Sequence, residues 1–303
     1  MLDASASSTP SAPPADVIAT RVPSGYWRGV ARRLARDPVT LGVSLVLAGI
    51  VTISAFAPVV TSGHPYAGSV LHRLEPIGTP GHWLGTDENG RDMWTRLCYG
   101  GRLSLFAGVA PVMIALFVGG GLGLLAGYAG GIVNTILMRL MDVFYAFPSV
   151  LLAIAICGLL GNGLGNAVLA LSVVFVPPLA RITETVVAQL RRRDFIEAAR
   201  ASGSTAFQVI RHHMLINALG PVLVYATSLI SVSIILAAGL SFLGLGVTPP
   251  RPEWGVMLNA LREAIYVQPY VAALPGLMIF LTSMCFNLMS DGLRSAMDVR
   301  LNA

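Results

Sequence analysis

Six apolar runs dominate the sequence, at about 40–60, 103–129, 135–160, 166–188, 219–245 and 270–290, and each is long enough to cross a bilayer as a helix. A chain with this pattern has two options, a large buried core or a membrane. Its 12% of charged residues decides between them, because a soluble domain carries about 25%. Mean hydropathy of +0.71 agrees. Gly and Pro interrupt several runs, which membrane helices tolerate when neighbours satisfy the freed backbone groups. The expected class is an all-α membrane protein with six spans, so that both termini lie on the same side.

All twenty basic residues are arginine; lysine does not occur. A Walker A loop needs a lysine on the phosphates and a pyridoxal Schiff base needs a lysine amine, so the chain is not itself a P-loop ATPase. Placing the amino terminus inside puts fourteen arginines on the cytoplasmic side and six outside, namely Arg73, Arg91, Arg96, Arg102, Arg251 and Arg262. Six acids (Glu75, Asp87, Glu88, Asp92, Glu253, Glu263) balance the outer set, and the net charge of +5 then sits inside. This is the positive-inside pattern; the basic balance reflects topology, not nucleic-acid binding.

Residues 1–39 are rich in Ala, Ser and Pro and end in an arginine-studded stretch. Such a segment buries no core and lacks the order of a signal peptide, so a flexible cytoplasmic tail is expected, followed by a six-span domain over 40–303. Cys98, Cys157 and Cys285 are far apart and read as small buried hydrophobes. The histidines have no metal spacing, and no metal site is expected. Neither a GxSG nucleophile with a membrane-embedded histidine nor an HExxH pair is present, so an intramembrane enzyme finds no support.

Two loops are too long to be plain connections. The outer loop, about 61–102, carries a turn signal at Asp87, Glu88, Arg91 and Asp92 and then a helix-like run with Trp94, Leu97 and Tyr99. The inner loop contains RRRDFIEAARASGSTAFQVIRHHMLIN. Two short helices are expected over about 194–216, with Gly203 ending the first and Ser204 or Thr205 capping the second.

Within the spans, Arg139 and Asp142 stand one turn apart, as a structural pair at the interface or as a gate contact. Arg181 and Glu184 at i, i+3 predict a salt bridge on one helix face. Gly119, Gly123, Gly127 and Gly131 form a small-residue stripe suited to close packing with a partner or within the chain.

The string EAARASG, followed by a hydrophobic stretch, a histidine and Leu-Ile-Asn, resembles the EAA motif of binding-protein-dependent ABC importer permeases. Further segments resemble the dipeptide/oligopeptide branch and the second of its two paired permeases: LGTDENGRDMWTRLCYGGRLSL (84–105), MRLMDVFYAFPSVLLAI (138–154), LSFLGLGVTPPRPEWGVML (240–258) and FNLMSDGLRSAMDVR (286–300). The resemblance spans about 80–303. It implies a type I importer permease fold in a bacterial cytoplasmic membrane, with no catalytic residue of its own. Glu197, Ala198, Ala199 and Gly203 would dock on an ATPase subunit that carries the ATP and Mg. The other implied partners are a homologous permease and an extracytoplasmic binding protein. Short peptides are the implied substrate, with nickel chelates, glutathione and oligosaccharides as alternatives in the same class. An ion-gradient-driven carrier is the remote alternative. The family usually has a proline after the leucine of the motif. Ile216 stands there instead, so the second coupling helix is expected to run on towards span five.

Overall fold

The computed structural model describes residues 26–297. Among them the chain is helical, with three isolated β-bridges in the loop before the second long span. The helices are α1 (Tyr26–Leu34), α2 (Pro38–Ala55), α3 (Ala57–Val60), α4 (Met93–Ala129), α5 (Gly131–Tyr145), α6 (Ser149–Leu160), α7 (Leu164–Arg191), α8 (Asp194–Ala201), α9 (Ala206–Gln208), α10 (Leu215–Phe242), α11 (Trp254–Ala260) and α12 (Pro269–Met297). Tyr26–Leu34 is thus helical although it belongs to the segment expected to be flexible; residues 1–25 of that tail lie outside the described residues.

Five helices are long and apolar enough to cross a membrane, and α5 with α6, a pair bent by 86°, is the sixth candidate. The run at 135–160, expected as one span, is therefore broken. Pro148 has no N–H to give, and it disfavours the helical region at Phe147; the backbone leaves the helix at 146–148 and restarts at Ser149. A π-helical turn (Val209–Met214) joins α9 to α10, so that Ala206–Phe242 is continuous. The second helix of the inner loop does run into span five, as the missing proline predicts.

α4 and α7 form the most extensive helix pair, and the glycine stripe explains how. A Cβ on Gly123 would lie 2.2 Å from the Ala180 carbonyl oxygen, and one on Gly119 would lie 2.5 Å from that of Val176. Gly127 is equally close-packed against Glu184 and Val187. These three glycines let two backbones touch inside the chain. Gly131 opens α5 and packs on nothing. Around the seam, Val112, Phe175, Leu171, Leu179, Cys157 and Leu240 form the main core. All three cysteines are buried.

At the end where α4 begins, the loop is a folded unit. Buried Asp87 accepts at Oδ1 from the backbone N–H groups of Asn89 and Arg91 at 2.9 Å and at Oδ2 from Arg91 Nε at 2.7 Å; Arg96 Nε lies 3.2 Å from the same Oδ2. Gly90 (φ +69°) closes this turn, where a Cβ would strike the Ser69 carbonyl. Asp92 caps α4 through the Thr95 N–H at 2.8 Å. The last ten residues of the expected 61–102 loop are accordingly the first turns of α4.

Beside it, Glu253 is buried and caps α11, accepting from the Gly255 and Val256 N–H groups and from the Ser104 hydroxyl, all at 3.0 Å. Trp254 Nε1 donates to the Leu97 carbonyl at 3.0 Å. The 243–268 connection is thereby fastened to α4. Burial pushes the Glu253 carboxyl up from its ordinary value, and these hydrogen bonds pull the other way.

Candidate functional site

The opposite end of the bundle carries the arginine-rich loop. α8 begins with Asp194 and Glu197 in its first turn, the favourable end of the helix dipole for acids. Ile196 is fully buried with Val187, Val209 and Met214, which seats one face of the helix on α7 and the π-turn. Glu197 and Ala198 are exposed, and Ala199 is half-buried.

A Schellman motif ends α8. The Ser204 N–H donates to the Ala199 carbonyl at 3.1 Å and the Gly203 N–H to that of Arg200 at 3.0 Å, with Gly203 at φ +82°. Thr205 and Gln208 then cap α9 reciprocally. The chain thus reverses over four residues and presents Glu197, Ala198 and Gly203 on an outward surface. A polar cavity of about 570 Å³ lies between α8 and the adjoining ends of α4, α5 and α7, lined in part by Asn134, Glu184, Arg191, Arg192, Glu197 and Arg200.

Deeper in the bundle the structure rearranges the expected ion pairs. Arg139 Nη1 lies 3.7 Å from Asp142 Oδ2, a loose pair. The tighter partner of Asp142 is Arg181, which donates to Oδ1 from the neighbouring helix. The expected Arg181–Glu184 bridge is not formed: Glu184 accepts from Asn134 Nδ2 at 2.5 Å instead. Spacing along α7 puts both residues near one face, but a partner across a helix pair outcompetes one a turn away. Arg181 also stacks over the Tyr145 ring at 5.5 Å. Next to it, a cavity of about 250 Å³ opens at the α5–α6 break against α7 and α10, with Phe147, Phe175, Pro178 and Tyr225 in its wall. Sequence reasoning missed this cavity and the Asn134–Glu184 contact; Pro148 and the Pro177-Pro178 pair were the available signals. No group of three or more metal-ligating side chains occurs among the described residues.

Helices long and apolar enough to cross a membrane, with a bent pair among them and a helical pair seated at one end, define a multi-pass membrane protein. Residues 119–302 match the family described as binding-protein-dependent transport system inner membrane component, and the chain belongs to that family. It is a membrane subunit of an ABC transport system, located in the inner membrane, and not an enzyme. Relatives agree over nearly the whole length. The chain is 40% identical to the dipeptide transport system permease protein DppC of Alkalihalophilus pseudofirmus, over 97% of this chain and 96% of the relative. It is 39% identical to the glutathione transport system permease protein GsiD of Pectobacterium atrosepticum, over 91% and 92%. It is 41% identical to the di/tripeptide transport system permease protein DppC of Pseudomonas aeruginosa, over 91% of each. Among solved structures, the MetNI methionine ABC transporter in an inward-facing conformation aligns with a TM-score of 0.54 at 20% identity, over 66% of this chain and 96% of that one. The permease fold is the shared feature.

Proposed function

We propose that this chain is one half of a heterodimeric pore that imports short peptides, with ATP and Mg held by separate cytoplasmic ATPase subunits and substrate delivered by an extracytoplasmic binding protein. The observation that carries the substrate class is the near full-length similarity to dipeptide and di/tripeptide permeases. Glutathione, itself a small peptide, is the second reading, and the similarity to GsiD favours it.

In this reading both termini and the arginine-rich end are cytoplasmic, residues 1–39 are a cytoplasmic extension, and 40–303 form the permease domain. Glu197, Ala198 and Ala199 lie on the ATPase, the alanines allowing close approach and Gly203 allowing the reversal. Closure of the ATPases pushes α8, whose buried Ile196 passes the displacement to α7 and to the helix running into α10. The spans then exchange between inward-open and outward-open states, a two-state element biased by nucleotide.

The test is purification of the tagged chain from its host in mild detergent, identification of what co-purifies, and uptake of labelled dipeptide or glutathione by proteoliposomes of the recovered complex. Recovery of a P-loop ATPase and a second permease, with ATP-dependent uptake, is expected. A chain that purifies alone and moves solute on an ion gradient overturns the reading.

A further inference from the structure

Helix α1 carries arginines that the rest of the chain leaves without a partner. Arg28 and Arg32 stand four residues apart on one face, and Arg36 follows four further on, in the turn after the helix. All three are exposed. The other side of α1 packs on α12, with Val30 only 3% exposed and Leu34 half-buried. Arg33 donates from Nε to the Gly29 carbonyl of its own helix at 3.4 Å. From Arg28 to Ala55 and along α12 there are five arginines and two acids, Asp37 and Asp291. Asp37 is occupied as the cap of α2, accepting from the Thr40 N–H at 3.1 Å. Among the described residues, no ion pair includes any of these seven charges.

The helix that follows fixes where this stripe lies. No charged residue occurs from Pro38 to Ala55, and the 18 residues of α2 make about 27 Å of helix, against a hydrocarbon layer about 30 Å thick. α2 therefore needs its whole length to cross, and the change from arginine to apolar residues at Asp37 marks the bilayer surface. Val39, Leu41, Leu45 and Val46 are exposed on its first turns, an apolar flank suited to hydrocarbon. Three residues separate α1 from α2, and hydrogen bonds from the Arg36 and Asp37 N–H groups to the Arg33 carbonyl keep them in a tight turn. α1 thus stays at the surface. α12 ends at the same corner, where Gly292 lies so close to Thr40 that a Cβ would strike its hydroxyl. α8, by contrast, is seated on α7 and the π-helical turn.

Exposed guanidinium groups at a bilayer surface meet lipid phosphates, to which they bond bidentately. A zwitterionic headgroup brings its own cation, whereas an anionic headgroup leaves its charge to be matched. We propose that α1 is an interfacial helix whose Arg28, Arg32 and Arg36 bind the phosphates of anionic phospholipids, in the leaflet that the proposed orientation makes cytoplasmic. The charge of the stripe is then complemented from outside the chain, and the contact ties the corner where α2 starts and α12 ends to the membrane surface. The lipid contact is independent of which solute the complex moves.

The test uses the complete transporter in phosphatidylcholine bilayers, with a fluorophore on Ala31→Cys, an exposed position of α1; the native cysteines of this chain are buried. Phosphatidylglycerol with brominated acyl chains is titrated against brominated phosphatidylcholine, and quenching gives the relative affinity of the site for the two lipids. A preference for phosphatidylglycerol of about fivefold or more is expected, the factor that one basic side chain contributes at an anionic surface. Added salt should shrink it. Arg28→Gln, Arg32→Gln and Arg36→Gln combined should bring the preference to about one, and the same three positions changed to lysine should keep most of it. Arg262→Gln, at an exposed arginine of the 243–268 connection, should leave it unchanged. Equal quenching by the two lipids, or a preference retained in the glutamine variant, overturns the proposal. Equal quenching in the natural complex together with loss of the co-purifying ATPase from the glutamine variant also overturns it, by giving the stripe to a protein contact. Failure of the natural complex to take up dipeptide or glutathione overturns the importer reading instead and leaves the lipid contact standing.

Discussion

Gly123 shows how little room the long helices leave one another. A side chain there meets the Ala180 carbonyl and the Thr183 Cβ, which would lie 2.8 Å from its first carbon, and neither can swing aside as a long flexible side chain could. Gly123→Leu is expected to force α4 and α7 apart and to destabilise the subunit by about 1–3 kcal/mol or more, the usual cost of overpacking. A lower thermal midpoint in detergent checks this, with exposure of the buried cysteines as the signal. Glu253 poses the reverse problem, a polar group that the fold cannot do without. Glu253→Ala strands the Gly255, Val256 and Ser104 donors, at about 1–3 kcal/mol for each that finds no other partner. Its titration has a definite sign. Burial raises the carboxyl above its unfolded value, so the folded state binds the extra proton, and stability is greatest below the unfolded value. Stability then falls as pH rises from about 4.5 to the raised folded value. Thermal midpoints across that window should therefore drop for the natural chain relative to Glu253→Gln, which has no proton to lose.

Helix α8 is a small element held at its two ends by different means, a buried isoleucine and a glycine reversal. Gly203→Pro removes the N–H that bonds Arg200 and imposes a negative φ where the chain needs +82°; the cost is about 3 kcal/mol or more locally. Uptake should be abolished while the six spans still insert, as read by membrane yield together with transport. Glu197→Arg changes an exposed residue and should alter stability by no more than about 0.5 kcal/mol, yet also abolish uptake; normal uptake would remove Glu197 from the ATPase contact. Much of this element is legible in the sequence, because capping chemistry is local: Gly203 and Thr205 act within a few residues of themselves, while the reciprocal Gln208 bond comes from the structure. The break in span three was not legible in the same way. An apolar run reports burial from water and says nothing of direction, and Pro148 in a membrane helix is compatible with a kink or a full stop. Arg181 was misassigned for a related reason. Spacing identifies neighbours on one helix, whereas Asp142 reaches it from another, and only the packing of α5 on α7 reveals the contact.

For the whole molecule, the two ends of the bundle differ in how they treat charge, and the proposed reading uses this difference to turn the arginine-rich end towards the ATPase. The loop at the start of α4 neutralises its arginines internally: Arg91 and Arg96 both converge on Asp87, and Arg91 also reaches Glu88 at 3.2 Å. A surface balanced in this way has little reason to stay on the side of an anionic leaflet. At the other end Arg191, Arg192, Arg193, Arg200 and Arg211 outnumber Asp194 and Glu197 on the same stretch, and Arg191, Arg192 and Arg200 line an open polar cavity. Excess arginine in a short loop holds that loop in the cytoplasm during insertion, and the helical pair proposed to meet the ATPase is on that same loop. Charge and the proposed mechanism thus predict the same orientation. With intact cells, Thr79→Cys should react with an impermeant maleimide from outside, whereas Ser202→Cys should react only after the membrane is opened. Labelling of position 202 from outside would place the helical pair where no ATP is available, and the coupling role of α8 would have to be abandoned together with the orientation.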